Sequence, residues 1–98
     1  MRQRGRVDKN QSEIVSALRK AGRSVTVLSG QGTGFPDLVV GYQGRNYLLE
    51  VKAPKGKITP EQVTFVEEWR GQMAIVRTAE HALEITENPV LYRERVDQ

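Results

Sequence analysis

The sequence predicts an α/β fold: a four-stranded mixed sheet flanked by helices, in the order α-β-β-β-α-β-α. Three observations carry this. Apolar residues recur at helical spacing in two separate stretches, from Ile14 onward and again after Thr59. Between them, two apolar runs flank a short glycine-containing turn, the pattern of a β-hairpin. A further short apolar run follows the second helix, so helices on both faces of one sheet can close a core. At 98 residues the chain suits one domain, with a basic arm over 1–9 and a charged tail over 87–98.

Taken in order, residues 12–21 carry Ile14, Val15, Leu18 and Ala21 on one side, as an amphipathic helix requires. Gly22 stands where a helix C′ glycine belongs. Residues 24–28, Ser-Val-Thr-Val-Leu, are β-branched and short, and read as a strand. The stretch 29–36 holds Gly30, Gly32, Gly34 and Pro36 and can only be a loop. Residues 37–42 and 47–52 form the hairpin around Gln43-Gly44-Arg45-Asn46, with Tyr42 paired to about Tyr47. A polar loop over 53–58 contains Pro54 and Gly56. Thr59-Pro60-Glu61-Gln62 starts a helix, with threonine at the N-cap, proline at N1 and glutamine at N3 to complete a capping box. Val63, Val66 and Trp69 continue its buried face with Phe65 beside them, and Gly71 ends it. Residues 73–76 make a last strand, and Thr78 caps a helix through Ile85 that Pro89 keeps short.

Composition narrows the function. Hydrophobic residues are 38% and charged residues 28% of the chain, a globular balance. The absence of cysteine excludes a disulfide scaffold, a thiolate metal site and a cysteine nucleophile together. A single histidine argues against His-rich metal clusters and a Ser-His-Asp apparatus. Apolar runs are too short to span a membrane, and the basic start lacks the apolar stretch of a signal peptide, so a cytoplasmic protein is expected. Fifteen Lys and Arg against twelve Asp and Glu give +3, with a pI near 9.5. That excess leans toward polyanions without settling a partner.

The chemistry concentrates at one end of the hairpin. Alternate strand residues share a face, so Glu50 and Lys52 project together about 6.6 Å apart while Leu49 and Val51 point to a core. Asp37 opens the partner strand and lies beside them. Two neighbouring carboxylates repel unless a cation or a proton sits between them. A hard divalent cation wants oxygen ligands, which Asp37, Glu50 and a nearby backbone carbonyl supply. A lysine beside such a site can orient a water or neutralise charge on a phosphate. E-x-K alone is a common solvated strand face. Glycine loop, Pro-Asp, hairpin and E-x-K in this order rarely recur by accident.

Gly34-Phe35-Pro36-Asp37 followed by Leu49-Glu50-Val51-Lys52 resembles the PD-(D/E)XK nuclease superfamily. Within it the pattern is most similar to small stand-alone VRR-NUC domains, which themselves resemble Holliday junction resolvases. The resemblance spans residues 10–76 and implies a restriction-endonuclease-like core. It implies that Asp37 and Glu50 bind Mg2+ or Mn2+ with the Val51 carbonyl as a third ligand, and that Lys52 is the catalytic lysine. Glu13 matches a helical acid that completes many such metal sites, and Gln62 matches a glutamine facing the active site. Each also has a plainer reading. Glu13 suits the first turn of a helix through the macrodipole alone, and Gln62 can be only the N3 partner of a capping box. The glycines of the loop serve a tight turn before Asp37 better than a phosphate cradle, since no Gly-Lys-Ser/Thr follows. His81 reads as an exposed helix residue, and Trp69 and Phe65 read as core rather than as platforms for bases.

The activity expected is metal-dependent hydrolysis of DNA phosphodiesters, with four-way or other branched DNA as substrate and 5′-phosphate and 3′-hydroxyl products implied by the resemblance. A bacterial or phage-infected cell is the implied setting, with no small-molecule cofactor. Arg2, Arg4, Arg6, Lys9, Gly34, Lys55 and Lys57 are the candidate DNA contacts, since phosphate contacts supply most sequence-independent affinity. No motif for base-specific readout is present. Two other readings stay open: a catalytically silent DNA-binding module, and a nuclease subunit that acts only with a larger partner. A homodimer is expected, because paired cuts need two sites in fixed relation. Residues 73–85 and the tail through Tyr92 are the expected interface.

Overall fold

Gln43 and Gly44 both take positive φ, 52° and 78°. They form a two-residue connection between β2 (Leu38–Tyr42) and β3 (Arg45–Val51). Such a turn matches the right-handed twist of the strands it joins, and a residue without Cβ adopts its second position freely. The computed structural model describes residues 9–29 and 35–88. Arg2, Arg4, Arg6, Gly30, Gly32, Gly34, Pro89 and Tyr92, with most of the expected arm and tail, lie outside the described residues.

The hairpin pairs Tyr42 with Arg45 and Leu38 with Leu49. This is two residues tighter than the expected pairing of Tyr42 with Tyr47, because the turn uses two residues and not four. A shift of two preserves which side chains share a face. It does move the partner of Asp37 from Lys52 to Glu50. On one side β1 (Ser24–Val27) pairs antiparallel with β2, and on the other β4 (Gln72–Val76) pairs parallel with β3, giving the order β1-β2-β3-β4. The parallel pair needs a crossover, supplied by α2 (Pro60–Glu68). With α1 (Gln11–Lys20) and α3 (Ala79–Glu87), the element order is the expected α-β-β-β-α-β-α, and element ends fall within one or two residues of expectation.

The two sheet faces are covered unequally. Against α1 and α3 lies the larger core: Ile14, Val15 and Leu18 from α1, Ala82 and Ile85 from α3, and Leu38, Val40, Tyr47, Leu49, Val51, Ala74 and Val76 from the sheet. Against α2 lies a smaller cluster of Val66, Met73 and Ile75, edged by Leu48, Ile58 and Phe65. β4 alternates between the two, so Met73 to Val76 are all buried within the chain. Their side chains are therefore not available as the subunit interface expected of them. Trp69 also departs from expectation. Helix α2 stops at Glu68, Trp69 turns extended (φ −76°, ψ 128°), and the residue is 45% exposed. His81 is half-buried rather than exposed. No helix among the described residues is long and apolar enough to cross a membrane.

One buried cation ties the α1–β1 turn to the end of α3. Arg23 donates from Nε to Thr86 Oγ1 (3.0 Å), from Nη1 to Ala21 O (2.9 Å), and from Nη2 to Leu83 O (3.3 Å) and Glu87 Oε1 (3.1 Å). Its guanidinium lies 3.6 Å from the centroid of Tyr42. Positive charge at the C-terminal end of α3 also opposes the helix dipole favourably. Arg23→Ala should lower unfolding free energy by about 2–4 kcal/mol, through lost charged hydrogen bonds and the lost ring contact. Glu87→Ala should cost under about 1 kcal/mol, because the Glu87 side chain is 65% exposed. Urea melts of the two variants check this ordering.

Candidate active site

Strand alternation and the hairpin register place Asp37, Glu50 and Lys52 on the face that α2 partly covers. Leu38 and Leu49 face the other way, into the larger core. Continuing the register by one pair sets Asp37 opposite Glu50, and side chains opposite each other on one face of an antiparallel pair are direct neighbours.

Each carboxylate is held by donors of its own. Asp37 Oδ2 accepts from the backbone N–H of Val51 (2.9 Å). Ser29 Oγ stands 3.3 Å from Asp37 Oδ1 and 3.0 Å from Gln11 Oε1, its single proton serving either oxygen. The Asp37 main chain is held too, its carbonyl accepting from Leu28 N–H (2.6 Å). Glu50 is only 4% exposed, and its Oε2 accepts from Gln62 Nε2 (2.8 Å). A buried carboxylate is costly without such a partner.

Gln62 plays both of the roles its position suggested. Its N–H donates to Thr59 Oγ1 (3.2 Å) and its Oε1 accepts from Thr59 N–H (3.0 Å), a complete capping box. Its remaining amide nitrogen is the one that reaches Glu50. The start of α2 and the orientation of Glu50 are thus fixed by one side chain.

Lys52 follows β3 directly, and its peptide is held on both sides. Its N–H donates to Val76 O (2.9 Å), and its carbonyl accepts from Asn10 Nδ2 (3.0 Å). Asn10 also donates to Arg77 O (2.8 Å), so it bridges the ends of β3 and β4 from the start of α1. Asn10 occupies the N-cap position yet makes no side-chain cap there. Beyond Lys52, Arg77 Nη1 reaches the carbonyls of Ala53 (2.6 Å), Gly56 (2.9 Å) and Pro54 (3.3 Å), pinning the loop that carries exposed Lys55 and Lys57. Lys9 is likewise exposed.

Glu13 is exposed on α1 and does not join the two carboxylates. Among the described residues, no group of three or more His, Cys, Asp or Glu is placed to hold a metal ion. The residue that α1 sends toward the site is Gln11, 6% exposed and linked through Ser29 to Asp37. Sequence reasoning passed over it, although a signal existed: Gln11 precedes Ile14 by three and Leu18 by seven, which puts it on the buried stripe. In an extended strand the N–H and C=O of one residue face the same neighbour. The Val51 carbonyl therefore faces β2, on the side where its N–H meets Asp37. Two carboxylates and a main-chain carbonyl form an all-oxygen donor set. That chemistry fits Mg2+ or Mn2+, which commonly take one or two carboxylates and keep waters.

Neither protein-family models nor curated proteins match this chain. Among solved structures, one described as a VRR_NUC domain shares the fold, with a TM-score of 0.63 and 23% identity, covering 83% of this chain and 98% of that one.

The geometry separates neighbouring residues by stability alone. Glu13→Ala should change unfolding free energy by no more than about 0.5 kcal/mol, as an exposed substitution. Gln11→Ala should cost about 1–2 kcal/mol, because it removes a buried side chain and its hydrogen bond with Ser29. Thermal or urea melts of the two variants check the difference.

Proposed function

We propose that this chain is a divalent-metal-dependent DNA endonuclease. The observation that carries the reading is the opposition of Asp37 and Glu50 on one sheet face, with Lys52 following Glu50 at the strand's end. Support also comes from the fold shared with a VRR_NUC domain.

Asp37, Glu50 and the Val51 carbonyl are the residues that would hold Mg2+ or Mn2+. The chemistry such a cation would supply there is activation of a water and neutralisation of charge on the phosphoryl oxygens. The chain's own residues supply positioning and charge. Val51 N–H and the Ser29 hydroxyl orient the Asp37 carboxylate, and Gln62 orients that of Glu50. Preorganised groups of this kind need no rearrangement when the substrate arrives. Lys52 brings a cation to the same face, where it stabilises negative charge developing on phosphate. Lys55 and Lys57, on the loop pinned by Arg77, and Lys9 contact phosphates flanking the cut. Glu13, exposed, is proposed only as a contributor from outside this pair. Branched DNA as substrate and a homodimer as active form belong to the same reading, as does one domain across the whole chain.

The test is cleavage by purified protein of linear, single-stranded, splayed and four-way DNA, with Mg2+ or Mn2+ and with chelator. Cleavage should require the metal and should lose at least about a hundredfold in rate in Glu50→Gln and in Lys52→Ala. Both variants should keep their fold and their DNA binding. DNA bound but never cut, under every metal condition, would overturn a stand-alone nuclease and leave the silent binding module and the partner-dependent subunit. Light scattering on the active protein tests the dimer: full activity from a monomer, without paired symmetric nicks on a four-way junction, removes it.

A further inference from the structure

Three aromatic rings form a ladder beside the site, and two of them are turned to solvent. Phe35, two residues before Asp37, meets Phe65 edge-on, with centroids 5.6 Å apart and planes at 88°. Phe65 stacks on Trp69 at 5.3 Å and 15°. Phe65 rests on the edge of the small core, whereas Phe35 is 37% and Trp69 45% exposed. We propose that this ladder is a stacking platform for unpaired nucleobases next to the scissile phosphate, so that the substrates are branched DNAs with single-stranded nucleotides at the branch. The proposal rests on the nuclease reading for the identity of its ligand.

Trp69 is exposed but held. A Cβ built on Gly71 would come within 2.9 Å of Trp69 Nε1, so the indole lies against the bare backbone of Gly71 on one side. Phe65 backs it on another. A side chain already fixed in this way loses little freedom when a ligand covers it. Large exposed apolar rings in a small domain mark a contact surface.

Charge selects the base over the phosphate. Glu61 and Glu68, with Pro60, Thr64 and Phe65, line an open groove of about 360 Å³ along the outer side of α2. Two carboxylates there repel a phosphodiester backbone, yet they can accept hydrogen bonds from exocyclic amines of bases. The phosphates then follow the lysines of the 53–58 loop, which leads directly into α2. Seven residues separate Gln62 from Trp69, about 10 Å at 1.5 Å per residue. Bases within a duplex already stack on each other and present no free face, so only unpaired ones can use the platform.

Trp69 is the one tryptophan of the chain, so its fluorescence reports the platform directly. With chelator present and no cleavage possible, the wild-type protein is titrated with a short single-stranded oligonucleotide, an abasic oligonucleotide of equal length, and a blunt duplex. Trp69 should be quenched strongly by the first and weakly by the other two. Trp69→Leu and Phe35→Leu should weaken single-strand binding about 5- to 150-fold, the loss of one stacked base, and Trp69→Phe should recover part of it. Equal quenching by the abasic strand overturns the proposal. So does a finding that Trp69→Leu dissociates a dimer while DNA affinity is unchanged, since a second copy is then the occupant. The two readings fail separately. Base-dependent quenching without cleavage under any metal condition supports the platform and defeats the nuclease; metal-dependent cleavage with base-independent quenching does the reverse.

Discussion

The register of the β2–β3 hairpin is the constraint on which the site depends. Its two-residue turn pairs Leu38 with Leu49, and the next pair outward is Asp37 and Glu50. A slip of one residue would carry every side chain of a strand to the opposite face. Leu38, Val40, Tyr47, Leu49 and Val51 are all buried in the larger core. At roughly 1.5–3 kcal/mol for each large apolar side chain, exposing the set from even one strand would forfeit several kcal/mol. A domain of this kind is stable by only about 5–15 kcal/mol in all. The carboxylates thus meet because the apolar residues between them have one acceptable placement.

Polar side chains then fix what the register brings together, often at the expense of the local role their position suggests. Asn10 stands at a helix N-cap but gives its amide to Lys52 O and Arg77 O, joining two strand ends. Arg77 gathers carbonyls of the loop after Lys52. Gln62 satisfies both demands, since its two amide ends point in different directions. The result is that the carboxylate of Glu50 is coupled to the first turn of α2, while the peptide of Lys52 is fixed separately by Val76 and Asn10. Rotating Gln62 breaks hydrogen bonds both to Glu50 and to Thr59.

Much of this was legible in the sequence where the cause is local. The caps at Thr59 and Thr78, the glycine turn, and the period-two alternation that separates Glu50 and Lys52 from Leu49 and Val51 all follow from short-range chemistry. The expected register ran two residues loose because Gln43 takes positive φ, and glutamine carries no signal for that conformation. Extending the helical period past the helix predicts Trp69 in the core; at the C-cap the chain turns extended and the period no longer applies. The family resemblance points to Glu13 as the helical acid, whereas the phase set by Ile14 and Leu18 points Gln11 inward. The bolts made by Arg23, Asn10 and Arg77 include contacts spanning 63 and 67 residues, and no local pattern encodes those.

Helix α2 then acts as a rigid spacer between two chemistries. Its first turn holds Glu50 through Gln62, and its last turn and cap carry Phe65 and Trp69. A helix stretches little, because lengthening it breaks its own hydrogen bonds, so the interval between carboxylates and rings is set by residue count. The middle of α2 cannot slide to change that interval, since Val66 is seated against Met73 and Ile75. If DNA follows the path proposed above, from the lysine loop toward Trp69, the phosphate at the carboxylates would lie a constant number of nucleotides from the stacked base. Under the nuclease reading, the position of the cut relative to an unpaired base is therefore measured by the helix, not by base sequence.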